Sequence, residues 1–229
     1  MQAIILAGGM GTRLRSVISE IPKPMAPVCG VPFLKYIFKY LKNNKINKIV
    51  LSVGYKWQDI RDYFGYAFED VELIYSVEDQ PLGTGGAIKK AINYIETDNL
   101  FIINGDTYYD VPLEMLLQVY DKSTKLVMSL KHMREFDRYG CVKIDSGFVK
   151  EFHEKAYYES GYINGGVYLS SKELFNCYNG NDVFSFEKFI EENYKKINIK
   201  GVCVDKYFID IGIPEDYKKA QIYFAGISL

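Results

Sequence analysis

Short apolar runs alternate with amphipathic stretches along this chain. The runs at 3–6, 48–53, 72–77 and 100–103 have the length of buried strands, and 33–41, 57–64 and 85–95 carry apolar residues at helical spacing. The first half therefore predicts a β-α-β-α-β-α-β succession, which argues for a parallel sheet with helices on both faces. Further strands are expected around 126–131, 141–144, 148–152, 162–169 and 199–204, with helices near 185–194 and 214–224. The fold class expected is α/β, a Rossmann-like, mostly parallel sheet flanked by helices. Right-handed crossovers would line up the loops at the carboxyl ends of the strands, the edge where open α/β sheets bind ligands.

The chemistry-bearing residues fall on that edge. The run at 3–6 delivers Leu6-Ala7-Gly8-Gly9-Met10-Gly11-Thr12-Arg13-Leu14, followed by Pro22-Lys23-Pro24. Glycines leave no Cβ in the way, so consecutive N–H groups can converge on phosphate oxygens. Arg13 adds a planar fork of donors and Lys23 a compact charge. The Walker pattern fails because Thr12 and Arg13, not lysine, follow Gly11, and the dinucleotide fingerprint fails at Leu14. The glycines and the two cations together read as a site for nucleotide phosphates, with a purely structural glycine turn after the strand as the alternative. Asp106, in Asn104-Gly105-Asp106-Thr107, and Asp210, in Phe208-Ile209-Asp210-Ile211-Gly212, each follow an apolar segment. Together they could hold one Mg²⁺, with phosphates and water completing its shell, although either alone also suits a turn or a helix cap.

Composition narrows the partners. The 229 residues, 48% hydrophobic and 25% charged, are enough for a full core, and a formal charge of −1 argues against nucleic acid. No linker, repeat or low-complexity tract divides the chain, so one domain spanning 1–229 is expected. Cys29, Cys141, Cys177 and Cys203 are widely spaced among mostly apolar neighbours, which predicts buried thiols and no metal or disulfide framework. No signal-peptide pattern and no membrane-spanning run is present, so a cytoplasmic protein without a membrane partner is expected.

The opening motif with Pro22-Lys23-Pro24, Gly83-Thr84-Gly85-Gly86-Ala87, Gly105-Asp106, Glu151-Phe152-His153-Glu154-Lys155, Asn164-Gly165-Gly166-Val167-Tyr168 and Asp210-Ile211-Gly212 together resemble the sugar-1-phosphate nucleotidyltransferase family. The motifs occur in the family's order and span nearly the whole chain. The resemblance implies a nucleotide-diphospho-sugar transferase (GT-A-like) architecture, with residues 1–110 serving the nucleotide and 111–229 the sugar phosphate. It also implies an NTP and a sugar 1-phosphate as substrates, with pyrophosphate released. Arg13 and Lys23 would serve catalysis. The nucleotide would lie against Leu6, Ala7, Gly8, Gly9, Gly11 and Thr12, then Glu78, Gln80, Gly83, Thr84 and Gly85. Gly140, Glu154, Lys155, Asn164 and Gly165 would hold the sugar phosphate, and Asp106 and Asp210 the Mg²⁺.

Ala156 stands where proline often follows the family's Glu-Lys pair, which leaves the path of that loop open. Glu78 is either a reader of guanine or a solvated loop charge. His132 and His153 receive no catalytic role, because an ionised phosphate nucleophile needs no base. Among its members, the short form with Gly11-Thr12-Arg13-Leu14-Arg15 and Pro81-Leu82-Gly83-Thr84-Gly85-Gly86 is most similar to guanylyltransferases that use D-glycero-α-D-manno-heptose 1-phosphate. Those are bacterial enzymes supplying GDP-heptose for surface polysaccharides. Mannose 1-phosphate with GTP, N-acetylmuramate 1-phosphate with UTP, glucose 1-phosphate with CTP or dTTP, and phosphocholine with CTP remain alternative pairs. A non-catalytic nucleotide-sugar sensor is the alternative class, and a homodimer is possible.

Overall fold

Ala3, Ile4 and Ile5 are all fully buried because the strand they form is covered on both faces. The computed structural model describes residues 1–9, 21–121, 123–176 and 178–227. In chain order its first elements are β1 (Gln2–Leu6), a 3-10 turn at Lys23–Met25, the hairpin β2 (Pro27–Val28) and β3 (Val31–Pro32), and α1 (Phe33–Asn43). There follow β4 (Lys48–Val53), α2 (Trp57–Phe64), β5 (Ala67–Phe68), β6 (Val71–Val77), α3 (Gly83–Ala91), β7 (Asn99–Asn104) and β8 (Thr107–Tyr109). The remainder is α4 (Leu113–Val119), β9 (Leu126–Phe136), β10 (Gly140–Asp145), β11 (Phe148–Lys155), β12 (Tyr158–Ser171), α5 (Phe186–Ile197), β13 (Ile199–Cys203), β14 (Phe208–Asp210) and α6 (Pro214–Phe224).

Ten strands form one sheet in the order β10-β11-β13-β9-β12-β7-β1-β4-β6-β5. The expected parallel frame is its centre: β7, β1, β4 and β6 run parallel, with Leu6 in register with both Ser52 and Asn104. The second half adds antiparallel strands. β12 pairs antiparallel with β7 and β9, β11 with β10 and β13, and only β13 with β9 is parallel there, so the sheet as a whole is mixed. Strand alternation divides two cores. Ala3, Ile5, Phe101 and Ile103 face one, filled by α1 and α6 through Phe33, Leu34, Ile37, Ala220 and Phe224. Ile4, Leu100 and Ile102 face the other, filled by α3 and α5 through Ile88, Ala91, Phe186, Phe189 and Ile190.

Several expectations change. β9 and β12 extend beyond 126–131 and 162–169, and the helix expected at 85–95 ends at Ala91 and tightens into a 3-10 turn at Ile92–Tyr94. α4, only seven residues behind Pro112, and the three-residue β8 and β14 are too short to print a periodicity. The buried thiols expected from apolar neighbours are not found. Cys29 is exposed at a positive φ of 49° in the β2–β3 turn, Cys203 is exposed at the end of β13, and Cys141 is half-buried on β10, near the sheet's edge. All three are free, and Cys177 lies outside the described residues. No described helix is long and apolar enough to cross a membrane.

Phe101 stands at the centre of β7 with 1% of its surface exposed. Phe101→Ala is expected to cost about 3–5 kcal/mol of stability, from lost burial and the cavity left behind, and urea unfolding measures it.

Candidate active site

The carboxyl edge of the parallel strands is knitted by backbone bonds. Ala7 N–H donates to Ser52 O at 2.8 Å, Glu78 N–H to Val53 O at 2.8 Å, and Gly105 N–H to Leu6 O at 2.9 Å. Gly105 is required here, because a Cβ at that position would stand 2.5 Å from the Leu6 carbonyl oxygen. Beyond it, Asp106 immediately precedes β8 and Asp210 ends β14. These two strands pair antiparallel with Asp210 opposite Thr107, and Ile211 N–H donates to Asp106 O at 3.0 Å. Local pairing therefore brings together the two carboxylates singled out in the sequence.

Lys23 stands between them. Its Nζ is 2.5 Å from Asp106 Oδ2 and 3.7 Å from Asp210 Oδ1, with only 14% of the side chain exposed. Gly212 N–H donates to Asp210 Oδ1 at 2.7 Å, and Thr107 Oγ1 to Asp106 Oδ1 at 3.2 Å. Burial pushes the Asp210 carboxyl above its ordinary range and the charge of Asp106 adds to this, against the opposing pull of Lys23, the Gly212 N–H and Arg138. Arg138, which the sequence reading missed, lies 3.9 Å from Asp210 Oδ2 and pairs with Asp216 at the start of α6. Two hard carboxylates with solvent access suit a divalent cation whose remaining ligands come from phosphates and water. Among the described residues no group of three or more histidine, cysteine or acidic side chains stands ready to enclose a metal alone.

The carboxylates open into a cavity of about 430 Å³. Gly140, Lys155, Asn164 and Gly165, all expected at a sugar phosphate, line it with Asp106 and Asp210. β12 breaks register with β9 between Asn164 and Tyr168, and that bulge turns Asn164 and Gly165 to the cavity. Asn164 is fixed by its own contacts: Nδ2 donates to Tyr168 Oη at 2.6 Å, and Oδ1 accepts from Gly166 N–H at 3.0 Å. Glu154 is exposed and does not line the cavity, while the next residue, Lys155, does. The cavity wall also includes Phe152 and His153, from the motif that carries Lys155 but given no role at the site, and Tyr139, Glu187 and Glu191, which the motifs did not announce. Burial, and then Asp210, keep the Tyr139 phenol well above its usual value, so it remains a neutral donor. The Glu191 carboxyl is pushed up by partial burial and by its neighbours Glu187, Glu154 and Glu192.

The nucleotide expectations fare unevenly. Leu6, Ala7, Gly8 and Gly9 follow the carboxyl edge as anticipated, whereas Gly11, Thr12 and Arg13 lie outside the described residues. Glu78 is no loose loop charge: it accepts from Ser52 Oγ at 3.2 Å and from Leu82 N–H at 2.9 Å. Its Oε1 would touch any Cβ at Gly8. Gln80 is exposed beyond it. Gly83, Thr84 and Gly85 open α3, but in this structure they meet protein. Gly83 adopts a φ of +69° against the Phe184 backbone, the Phe184 ring occupies the space beside Gly85, and Gly85 N–H donates to Phe184 O at 2.9 Å. Thr84 Oγ1 donates to Glu187 Oε2 at 2.7 Å.

An α/β sheet carrying a lysine-bridged carboxylate pair at its carboxyl edge suits transfer chemistry on phosphates. The nucleotidyl transferase family matches residues 2–225, and the chain belongs to that family. A D-glycero-alpha-D-manno-heptose 1-phosphate guanylyltransferase of Campylobacter jejuni is 47% identical over 218 residues, covering 95% of this chain and 97% of that one. Its counterpart in Aneurinibacillus thermoaerophilus is 48% identical over 223 residues, covering 96% and 97%. The crystal structure of HddC from Yersinia pseudotuberculosis complexed with GMP-PN superposes with a TM-score of 0.85 at 38% identity, covering 97% of this chain and 99% of that one.

Because the Asp210 pKa is raised on folding, the folded chain binds that proton more tightly than the unfolded one. The stabilisation is present below the ordinary carboxylate range and is lost as pH rises through the raised value. Asp210→Asn is therefore expected to raise the melting temperature of the metal-free protein at pH 7, with the gain shrinking towards pH 3. Calorimetry in chelator across that range checks it.

Proposed function

We propose that this protein transfers the guanylyl group of GTP to D-glycero-α-D-manno-heptose 1-phosphate, giving GDP-heptose and pyrophosphate in a Mg²⁺-dependent reaction. The observation that carries the reading is the identity of 47% and 48%, over nearly full length, to two guanylyltransferases of that substrate. The cavity supports it, since residues from 1–110 and from 111–229 line the same space, as a two-substrate reaction requires.

A non-bridging oxygen of the sugar phosphate attacks the α-phosphorus of GTP in line. The new P–O bond forms as the bond to the bridging oxygen breaks, and pyrophosphate leaves from the opposite side. The nucleophile is already ionised, so the work of the chain is positioning and charge neutralisation. Asp106 and Asp210 would hold the Mg²⁺, and their hard oxygens and the raised pKa of Asp210 suit that ion. When bound, it neutralises phosphate charge and orients the phosphates. Lys23, held by both carboxylates, faces the charge gathering at the α-phosphate. Lys155, at the cavity wall, takes the sugar phosphate, while Asn164 and the backbone of Gly165 meet the sugar beside Gly140, whose missing Cβ makes room for the His153 carbonyl of the paired strand. Arg13 and the glycine turn take the departing pyrophosphate.

Pyrophosphate release tests the reading, with GTP, UTP, CTP, dTTP and ATP each paired with heptose, mannose, glucose and N-acetylmuramate 1-phosphates and phosphocholine. GTP with the heptose phosphate is expected to dominate. A different dominant pair replaces the substrates, and nucleotide binding without turnover on any pair replaces the enzyme with a sensor. Asp106→Asn is expected to abolish Mg²⁺-dependent turnover in a protein that still melts cooperatively. Lys155→Ala is expected to raise KM for the sugar phosphate by about ten- to a hundredfold, the worth of one hydrogen bond to a charged group. Initial-rate kinetics with each substrate varied in turn separate this from an effect on GTP.

A further inference from the structure

We infer that Glu187 reads the hydroxyl groups of the sugar at the end remote from its phosphate, held in place for this by Thr84. The inference rests on the substrate reading above and deepens it. α5 is capped by Ser185, whose Oγ accepts Lys188 N–H at 3.2 Å, and carries Glu187 and Glu191 one turn apart on the same face. Both residues line the cavity, with Ile190 beside them.

Glu187 is already fixed there. Its Oε2 accepts from Thr84 Oγ1 at 2.7 Å and from Ser185 Oγ at 2.8 Å. Phe186 N–H donates to Thr84 Oγ1 at 2.8 Å, so the threonine hydroxyl both donates and accepts within the protein. Oε1 of Glu187 accepts no hydrogen bond from the described residues. An ionised carboxylate only accepts, so the ligand group it suits is a donor, and little side-chain entropy remains to be lost on binding.

Charge then decides which end of the substrate comes to it. Lys23 stands with the two aspartates on elements packed against the α1–α6 core, whereas α5 is packed in the opposite core. A sugar phosphate dianion is repelled by Glu187 and Glu191, whereas at the other end Lys23, Lys155 and the cation that Asp106 and Asp210 would hold together outweigh those two carboxylates and attract it. The molecule is thus oriented with its phosphate at the lysines and its neutral, hydroxyl-bearing end at α5. A heptose differs from mannose at that end by one hydroxymethylene group. A site built to accept from a substrate hydroxyl discriminates strongly against an analogue that lacks it, because the acceptor is then left unpaired.

The test compares kcat/KM for heptose 1-phosphate and for mannose 1-phosphate, both with GTP, in the unaltered protein, Glu187→Gln and Thr84→Val. Glu187→Gln is expected to lower kcat/KM for the heptose phosphate about ten- to a hundredfold, mainly through KM. The loss with mannose 1-phosphate is expected to be smaller, so the ratio between the two sugars contracts. Thr84→Val, which removes the hydroxyl that positions Glu187 and accepts from Phe186 N–H, is expected to reproduce the contraction to a lesser degree without moving KM for GTP. Equal losses with both sugars overturn the inference, as does a Thr84→Val defect confined to GTP, which would return Thr84 to the nucleotide. If the unaltered protein turns over neither sugar phosphate with GTP, the substrate reading fails, and that is seen before any variant is made.

Discussion

Two three-residue strands, β8 and β14, hold together carboxylates drawn from the two halves of the chain, and the rest of the site is arranged around that pairing. Asp106 and Asp210 repel each other, and burial raises the cost for Asp210. Backbone bonding at Thr107 and Ile211 enforces the approach, and Lys23 makes it tolerable. Like charges held close by structure are a strain that a bound cation would relieve, which is the part proposed above for Mg²⁺ at this small ladder.

The central frame was legible in the sequence for a physical reason. Strands buried on both faces read as continuous apolar runs, and α1 and α2 are long enough to print a helical period. The neighbours chosen by the later strands were not legible. Nothing in the sequence of β12 says that it lies between β9 and β7, or that β13 runs parallel to β9, because pairing order is set by packing between distant elements. Cys29 and Cys203 show the same limit, since apolar neighbours in sequence did not make either thiol buried.

At the site, the motif residues were legible because each combines an unusual residue type with an edge position. Asp106, Asp210, Lys155, Asn164 and Gly165 reach one cavity as their order suggested. Glu187 and Glu191 gave no such signal: in a run such as Glu187-Lys188-Phe189-Ile190-Glu191-Glu192 they look like the solvated face of an amphipathic helix. The Gly83-Thr84-Gly85-Gly86 cluster was legible as a place where bulk is forbidden, but not as to what approaches. Here it is Phe184 that fills the space.

The pairing of β7 with β12, from Ile103 opposite Val167 to Asn99 opposite Ser171, has a mechanical meaning. It runs through the middle of the sheet, so the segments that carry Asp106 and those that carry Asn164 and Gly165 are parts of one hydrogen-bonded plate. A jaw-like opening between them would tear that ladder and expose both cores. Under the reaction proposed above, reactants would therefore enter and leave past side chains and loops while the plate stays whole, with the spacing of the residues that line the cavity set by the fold instead of being found anew in each catalytic cycle.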